Sequence, residues 1–160
     1  MSAHAGIAPI EPRHWPAILE LNHRFVHWLS PLDEEGLRDL LGHCTYARQT
    51  HDGRAFLLGY DGNSPYRHKN VDWLSERLRS YAYIDRIVVA PEFAGKGLGR
   101  RLYDDFTNWA RDTGHDTIAC EVNTKPDNPA SHAFHRNLGF DDMGEAEYGR
   151  HEVQYYQLRL

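Results

Sequence analysis

Glycines at 95, 97 and 99, interleaved with Lys96 and Leu98 and followed by Arg100, are the residues best placed to do chemistry. They follow an apolar run, Tyr83–Val89, that closes at Pro91, and they open into a segment of helical periodicity. A strand, a glycine-rich turn and a helix start, in that order, turn several backbone N–H groups outward at a helix N-terminus. The helix dipole favours negative charge there, so the chemistry implied is the binding of a phosphate-bearing ligand. A turn that uses glycine for tightness alone is the plainer reading. Three glycines exceed what a turn needs, and each costs backbone entropy.

Two familiar phosphate loops fail on specific residues. No Gly-Lys here is followed by Ser or Thr, as a Walker loop requires. The dinucleotide pattern G-x-G-x-x-G starts with Gly95 and Gly97 but meets Arg100 at its third glycine, and no clear acidic ribose partner follows. Asp85 stands beside Arg86 on the strand before the loop. Alternation sends the two side chains to opposite faces, and an ion pair to a neighbouring helix is the role expected for Asp85. His23 and His27 are four apart and His132 and His135 three apart. Neither pair carries the Glu of a zinc hydrolase, no Cys pair has ligand spacing, and 11 histidines generate such spacings by chance. No metal is expected.

The elements that must position these groups can be read along the chain. Residues 6–10 suit a short strand, and Glu11–Trp28 reads as a helix through Ile18, Leu19, Leu21, Phe25 and Val26. Ser30-Pro31 reads as cap and first turn of a helix over Leu32–Leu41. Tyr46–Thr50 and Ala55–Tyr60 flank Asp52-Gly53, a hairpin signal. Asp61–Asn70 is a long polar loop, and Val71–Arg79 a short helix. Gly97–Asp112 repeats Leu98, Leu102, Phe106, Trp109 and Ala110 at helical spacing, leaving Arg100, Arg101, Asp104, Asp105 and Asn108 for solvent; Gly114 stops it. Thr117–Asn123 is a strand. Asn128-Pro129 starts a helix with Ala130, Phe134 and Leu138 on one face, and Gly139 ends it. Strands near Phe140–Tyr148 and Glu152–Leu160 close the chain. The strand–helix–strand–helix order of this half implies a parallel pair in an otherwise antiparallel sheet.

The 160 residues are read as one domain, large enough for a real core. A net charge of −5 argues against general nucleic-acid binding. No apolar run approaches the roughly 20 residues that span a bilayer, and the N-terminus lacks a signal-peptide layout. Cys44 and Cys120 are too few for a disulfide framework and suit a reducing cytoplasm, the expected location.

Val89-Ala90-Pro91-Glu92 followed by Gly95-Lys96-Gly97-Leu98-Gly99 resembles the cofactor loop of the GNAT superfamily of acetyl-CoA-dependent N-acetyltransferases. The stretch Asn128-Pro129-Ala130-Ser131-His132-Ala133-Phe134-His135-Arg136-Asn137-Leu138-Gly139-Phe140 resembles the same family's later signature. The resemblance is sharp over about 83–140. It implies an α/β fold: a mixed, mostly antiparallel twisted sheet of about six to seven strands with a central parallel pair and flanking helices. It also implies acetyl transfer from acetyl-CoA to a primary amine of a small molecule, amino acid or peptide, and leaves a homodimer open. The competing class is a non-catalytic acyl-CoA-binding or regulatory module.

Carried onto this chain, the resemblance places the pyrophosphate on backbone amides of Gly95, Lys96, Gly97, Leu98, Gly99 and Arg100. It places pantetheine and thioester along Ile87, Val88 and Val89, with Asn128 among the cofactor contacts. Several family members carry a catalytic Glu at the point matching Glu121, which makes Glu121 the candidate base and Asp85 the second choice. Two positions depart from the family pattern. Ala94 stands where Arg or Gln usually opens the loop. His135 stands where a Tyr usually protonates the departing thiolate; an imidazole of ordinary pKa about 6.5 could take that role, with Ser131 at i−4 to orient it. Phe25, Trp28, Tyr66, Trp73, Tyr81 and Tyr83 are candidates to line the acceptor, with Asp72 to hold an ammonium group.

Overall fold

A computed structural model of the chain describes residues 6–50 and 53–160. Strands β1 (Ile7–Pro9), β2 (Tyr46–Thr50), β3 (Ala55–Asp61), β4 (Ala82–Val89), β5 (Thr117–Lys125), β6 (Asp141–Tyr148) and β7 (His151–Arg159) form one sheet in the order β1-β2-β3-β4-β5-β7-β6. Helices are α1 (Trp15–His23), α2 (Glu34–His43), α3 (Lys69–Ser75), α4 (Leu98–Asp112) and α5 (Pro129–Asn137). The pairs β1–β2, β2–β3, β5–β7 and β6–β7 are antiparallel. The pair β4–β5 is parallel, with Ala82 opposite Ile118 and Tyr83 opposite Ala119. This is the mixed sheet with a parallel pair that the sequence implied. Among the described residues no helix is long and apolar enough to cross a membrane.

The chain separates into two compact units. One takes the chain up to Tyr60 together with Ile84–Trp109, the other Asp61–Tyr83 together with Ala110–Leu160. In the first, β3 is buried from Ala55 to Tyr60, a continuous apolar run suited to a strand covered on both faces. Helix α4 buries Leu98, Leu102 and Phe106, as its spacing predicts. Asp105, expected at the surface, is only 4% exposed. Its Oδ2 accepts from Tyr46 Oη and from Arg48 Nη1, both at 2.7 Å. A buried carboxylate is tolerable because both partners sit on β2, 57 and 59 residues away in sequence.

Helices α1 and α2 have boundaries that differ from the sequence reading. Helix α1 ends at His23 rather than Trp28, because the fully buried Asn22 spends its side chain on the turn that follows. Its Nδ2 donates to the Ser30 carbonyl at 3.1 Å and its Oδ1 accepts from Arg86 Nη1 at 2.9 Å. Helix α2 is capped by Asp33, not Ser30: Asp33 Oδ1 accepts from the Gly36 amide at 2.7 Å. Such a cap contributes about 1 kcal/mol. Of the hairpin's Asp-Gly pair, Asp52 lies outside the described residues, and Gly53 holds φ +90°.

In the second unit the polar loop after β3 bonds its backbone to Tyr81, the residue before β4. Gly62 N–H donates to the Tyr81 carbonyl at 2.9 Å, and any Cβ on Gly62 would collide with the Tyr81 ring. Helix α3 starts two residues earlier than expected and stops at Ser75. Helix α5 starts as read, with Asn128 Oδ1 accepting from the Ser131 amide and Pro129 in the first turn. Its inward face is not Ala130, Phe134 and Leu138. The buried residues of α5 are His132 and His135, at 9% and 3% exposure, and Ala130 is exposed.

Candidate functional site

The glycine loop belongs to the first unit. Strand β4 ends at Val89, the Ala90 amide donates to the Arg54 carbonyl at 2.8 Å, and Pro91–Phe93 make one 3-10 turn. Gly95 and Gly97 then take left-handed backbone, φ +75° and +79°. A Cβ added at either would meet no atom within 4 Å, so their requirement is conformational and not one of packing. The Gly97 carbonyl accepts the first helical bond, from Arg101 N at 3.0 Å. The amides of Leu98, Gly99 and Arg100 therefore lie in the first turn of α4, where N–H groups have no intrahelical acceptor. That turn carries no acidic residue.

The charge around the loop suits an anion. Lys96 and Arg100 are exposed, with Lys96 Nζ 5.3 Å from the Phe93 ring centroid. Arg54, on the hairpin, lies over the same ring at 4.6 Å, so Phe93 is in contact with two cations beside Ala94. Glu92, three residues before Gly95, is held by Arg24 at 2.6 and 3.2 Å, and that hydrogen bond lowers its carboxyl pKa.

Asp85 also lies in the first unit. Its carboxylate accepts from Tyr60 Oη at 3.0 Å and from Arg86 Nε at 2.8 Å. Adjacent side chains thus meet where alternation had sent them to opposite faces. Arg86 continues to Asn22 and to the carbonyl and hydroxyl of Ser30, so the pair ties β4 to α1 and the turn after it. Asp85 is in an ion pair, but its partner is its chain neighbour rather than a helix. Burial pushes the Cys44 thiol up to about 12, and Cys120, fully buried, is also raised, so neither is a nucleophile near neutral pH.

Glu121 lies on β5 in the second unit, half-buried. Tyr83 Oη donates to it, 2.7 Å from each carboxylate oxygen, and Asn70 Nδ2 donates to Oε1 at 2.9 Å. Asn70 Oδ1 in turn accepts from Tyr155 Oη at 2.7 Å, and Tyr155 meets Tyr148 Oη at 2.6 Å. Sequence reasoning reached Glu121 and Tyr83 but not Asn70, Tyr148 or Tyr155. The partners of Asn70 are 51 and 85 residues away, and no local pattern signals them.

His135 Nδ1 lies 2.7 Å from the Ser131 carbonyl and 3.4 Å from its hydroxyl. A carbonyl only accepts, so Nδ1 carries the proton. The ring stacks on Tyr156 at 5.9 Å, and burial lowers its pKa to about 4. At pH 7 it is neutral, with its proton committed to Ser131, and is poorly suited to protonating a thiolate. His132 turns its other nitrogen to a carbonyl: Nε2 donates to Asn123 O at 2.9 Å and lies 3.5 Å from Asp127 Oδ1, while Nδ1 is 2.6 Å from Tyr156 Oη. A groove of about 320 Å³ beside α5 is lined by Thr124, Asp127, His132, Arg136, Glu145 and Gln154. It does not include Glu121.

The acceptor candidates belong to both units. Phe25 and Trp28 are half-buried in the first unit with ring centroids 6.4 Å apart. In the second, Tyr81 is fully buried with its hydroxyl on the Val71 carbonyl, and Tyr66 packs edge-on to His68. Trp73 stacks on Tyr155 at 4.0 Å. Asp72, proposed for an ammonium group, is already bonded to Arg67 at 2.9 and 3.1 Å.

Comparison with known proteins agrees with the loop. A family model described as acetyltransferase (GNAT) matches residues 7–140. An uncharacterized N-acetyltransferase, YesJ of Bacillus subtilis (strain 168), is 30% identical over 81 residues, which cover 49% of this chain and 43% of that protein. The matched stretch therefore spans less than half the length of that relative. Among solved structures, the ribosomal-protein-S18-alanine N-acetyltransferase from Escherichia coli superposes with TM-score 0.68 at 21% identity, covering 96% of this chain and 92% of that one. The NatC complex bound to Gag peptide and CoA gives TM-score 0.71 at 16% identity, covering 96% and 97%. At these identities the structures speak for the fold.

Proposed function

The chain belongs to the acetyltransferase (GNAT) family, and on that premise we propose that it transfers an acetyl group from acetyl-CoA to a primary amine. The acceptor class is a small molecule, an amino acid or a peptide. One observation carries the reading: two left-handed glycines open directly into the first turn of α4, free of acidic side chains. That arrangement fits a pyrophosphate, because successive amides at a helix N-terminus donate to an anion without rearranging.

The residues take these roles. Amides from Gly95 to Arg100 hold the pyrophosphate, with Lys96, Arg100 and Arg54 supplying positive charge where Ala94 supplies none. The backbone of Ile87, Val88 and Val89 lines the pantetheine arm, and one of its amides serves as donor to the developing oxyanion. Asn128 sets the start of α5 and adds to the cofactor contacts. When bound, acetyl-CoA supplies an activated thioester whose thiolate can leave. Glu121 takes the proton from the acceptor amine. His135, neutral in its pocket, is not assigned proton delivery.

A thiol-release assay across amines, amino acids and peptides tests the proposal. Release of CoA with an acceptor names the substrate class. Glu121→Gln is expected to lower turnover by about 10²–10⁴, the usual worth of general-base help, with little change in acetyl-CoA affinity. Unchanged turnover removes Glu121 as the base. Binding of acetyl-CoA without release for any acceptor would replace the enzyme by a binding module.

A further inference from the structure

The hydrogen bonds that end on Glu121 have a direction. A phenol has one proton to give. Tyr155 gives its proton to Asn70 Oδ1 at 2.7 Å, so Tyr148 fills the 2.6 Å contact with Tyr155. Asn70 has then used its oxygen on Tyr155 and turns its Nδ2 to the carboxylate. Every proton from Tyr148 onward points toward Glu121, and Tyr83 adds a further donor from β4. Reversing the chain would set the Asn70 oxygen against a carboxylate oxygen, two acceptors 2.9 Å apart. The chain's polarity and the charge on Glu121 therefore fix each other.

The chain is held by packing as well. Tyr155 stacks on Trp73 with planes 10° apart, and the Arg77 guanidinium covers Trp73 at 3.5 Å. Gly144, opposite Tyr155 in the β6–β7 register, leaves room for Trp73, since a Cβ there would come within 3.2 Å of its ring. The Lys69 ammonium sits 4.5 Å from the Tyr148 ring centroid. Burial raises the Tyr155 phenol far out of the titrating range, so it remains a donor.

We propose that Tyr148, Tyr155 and Asn70 are positioning residues that hold Glu121 oriented and ionised, in the form that can accept a proton. The proposal deepens the acetyl-transfer reading and rests on it for the word base. The groups that face this site come from every neighbouring element. Helix α3 gives Asn70, with Lys69 and Arg77 on the rings and Asp72 held by Arg67. Strand β4 gives Tyr83, with His68 packed 5.4 Å from it. Strands β6 and β7 give Tyr148 and Tyr155, and β5 itself gives Cys120, a neutral thiol. Hydroxyl and amide groups donate to Glu121, and hydrogen bonds of that kind favour the charged form of a carboxylate.

The test uses the full chain with Tyr155→Phe and Tyr148→Phe, substitutions that delete one hydroxyl and keep the ring. Two readouts are taken: the titration midpoint of the Glu121 side-chain carboxyl by ¹³C NMR, and the acid limb of kcat/KM for CoA release. Both are expected to move to higher pH, by about half a unit or more for Tyr155→Phe and by less, in the same direction, for Tyr148→Phe. The acetyl-CoA KM should stay unchanged. A midpoint unmoved in both folded variants overturns the proposal. Tyr148 is half-buried, so its variant folds even where Tyr155→Phe does not. A parent protein that releases no CoA with any acceptor sinks the acetyl-transfer reading alone, because the NMR midpoint still decides the chain.

Discussion

Replacing Gly97 by Ala separates a glycine needed for shape from a glycine needed for a ligand. Gly97 and Gly114 are a matched pair, with φ +79° and +90°, and an added Cβ at either meets nothing within 4 Å. Steric cost is therefore absent at both, and what remains is left-handed backbone on a residue with a Cβ, about 1–2 kcal/mol. For a chain of this size that lowers Tm by about 2–8 °C in each variant. The donor separates them. Acetyl-CoA at 100 times its Kd should stabilise the parent by about 2.7 kcal/mol, and Gly114→Ala by the same amount. In Gly97→Ala the loop amides are re-aimed, and losing one hydrogen bond to a charged group costs about 1.5 kcal/mol or more. Kd then rises about tenfold, and the stabilisation at the same ligand concentration falls to about 1.4 kcal/mol. Calorimetric titration together with melts in both states reads all of these quantities. Equal acetyl-CoA affinity in Gly97→Ala and Gly114→Ala would refute the reasoning and return the loop to a turn.

Asp105→Ala should lower stability by about 3 kcal/mol, since it strands the buried Tyr46 hydroxyl and the Arg48 guanidinium; a loss well under about 1 kcal/mol in urea unfolding would show that the pair is idle. Tyr46→Phe should cost less, because the carboxylate keeps Arg48. His135 gives a pH dependence of defined sign. Its folded pKa of about 4 lies below the ordinary 6.5, so the unfolded chain binds the proton first as pH falls. Its contribution is fully present above about 6.5 and is lost toward pH 4, by up to about 3 kcal/mol in total. His135→Phe should flatten the stability–pH curve across that window, and an equally steep curve would contradict the assignment. The same variant should keep most of its turnover at pH 7, because a neutral imidazole was not delivering the proton; a loss as large as that of Glu121→Gln would restore His135 as an acid.

The glycine loop and α4 were legible because their causes are local: backbone that favours glycine, and apolar residues at helical spacing. The start and stop of α5 were legible for the same reason, through Asn128, Pro129 and Gly139. Its inward face was not. Spacing arguments send histidine outward, whereas Asn123 and Tyr156 on neighbouring strands and the helix's own Ser131 give His132 and His135 polar partners inside. Asn22, Asp105 and Asp33 show the same limit from three sides. Asn22 breaks a helix that its neighbours favour, in order to meet Arg86 from far along the chain. Asp105 is buried because β2 brings it two donors. Asp33 outcompetes Ser30 as a cap because it lies three residues before the amide that needs one. Glu121 became the candidate base through the family resemblance, but the residues that hold it come together only when the chain is folded.

Helix α3, from Lys69 to Ser75, is too short to persist alone, since isolated helices under about 12–15 residues are marginal in water. Its persistence depends on Trp73 against Tyr155 and on Asn70 between Tyr155 and Glu121. Local opening of α3 then withdraws the Asn70 donor from Glu121 and leaves the Tyr83 donor on β4 in place. Slowed exchange of the α3 amides with deuterated solvent would measure how much of the time Asn70 holds the carboxylate.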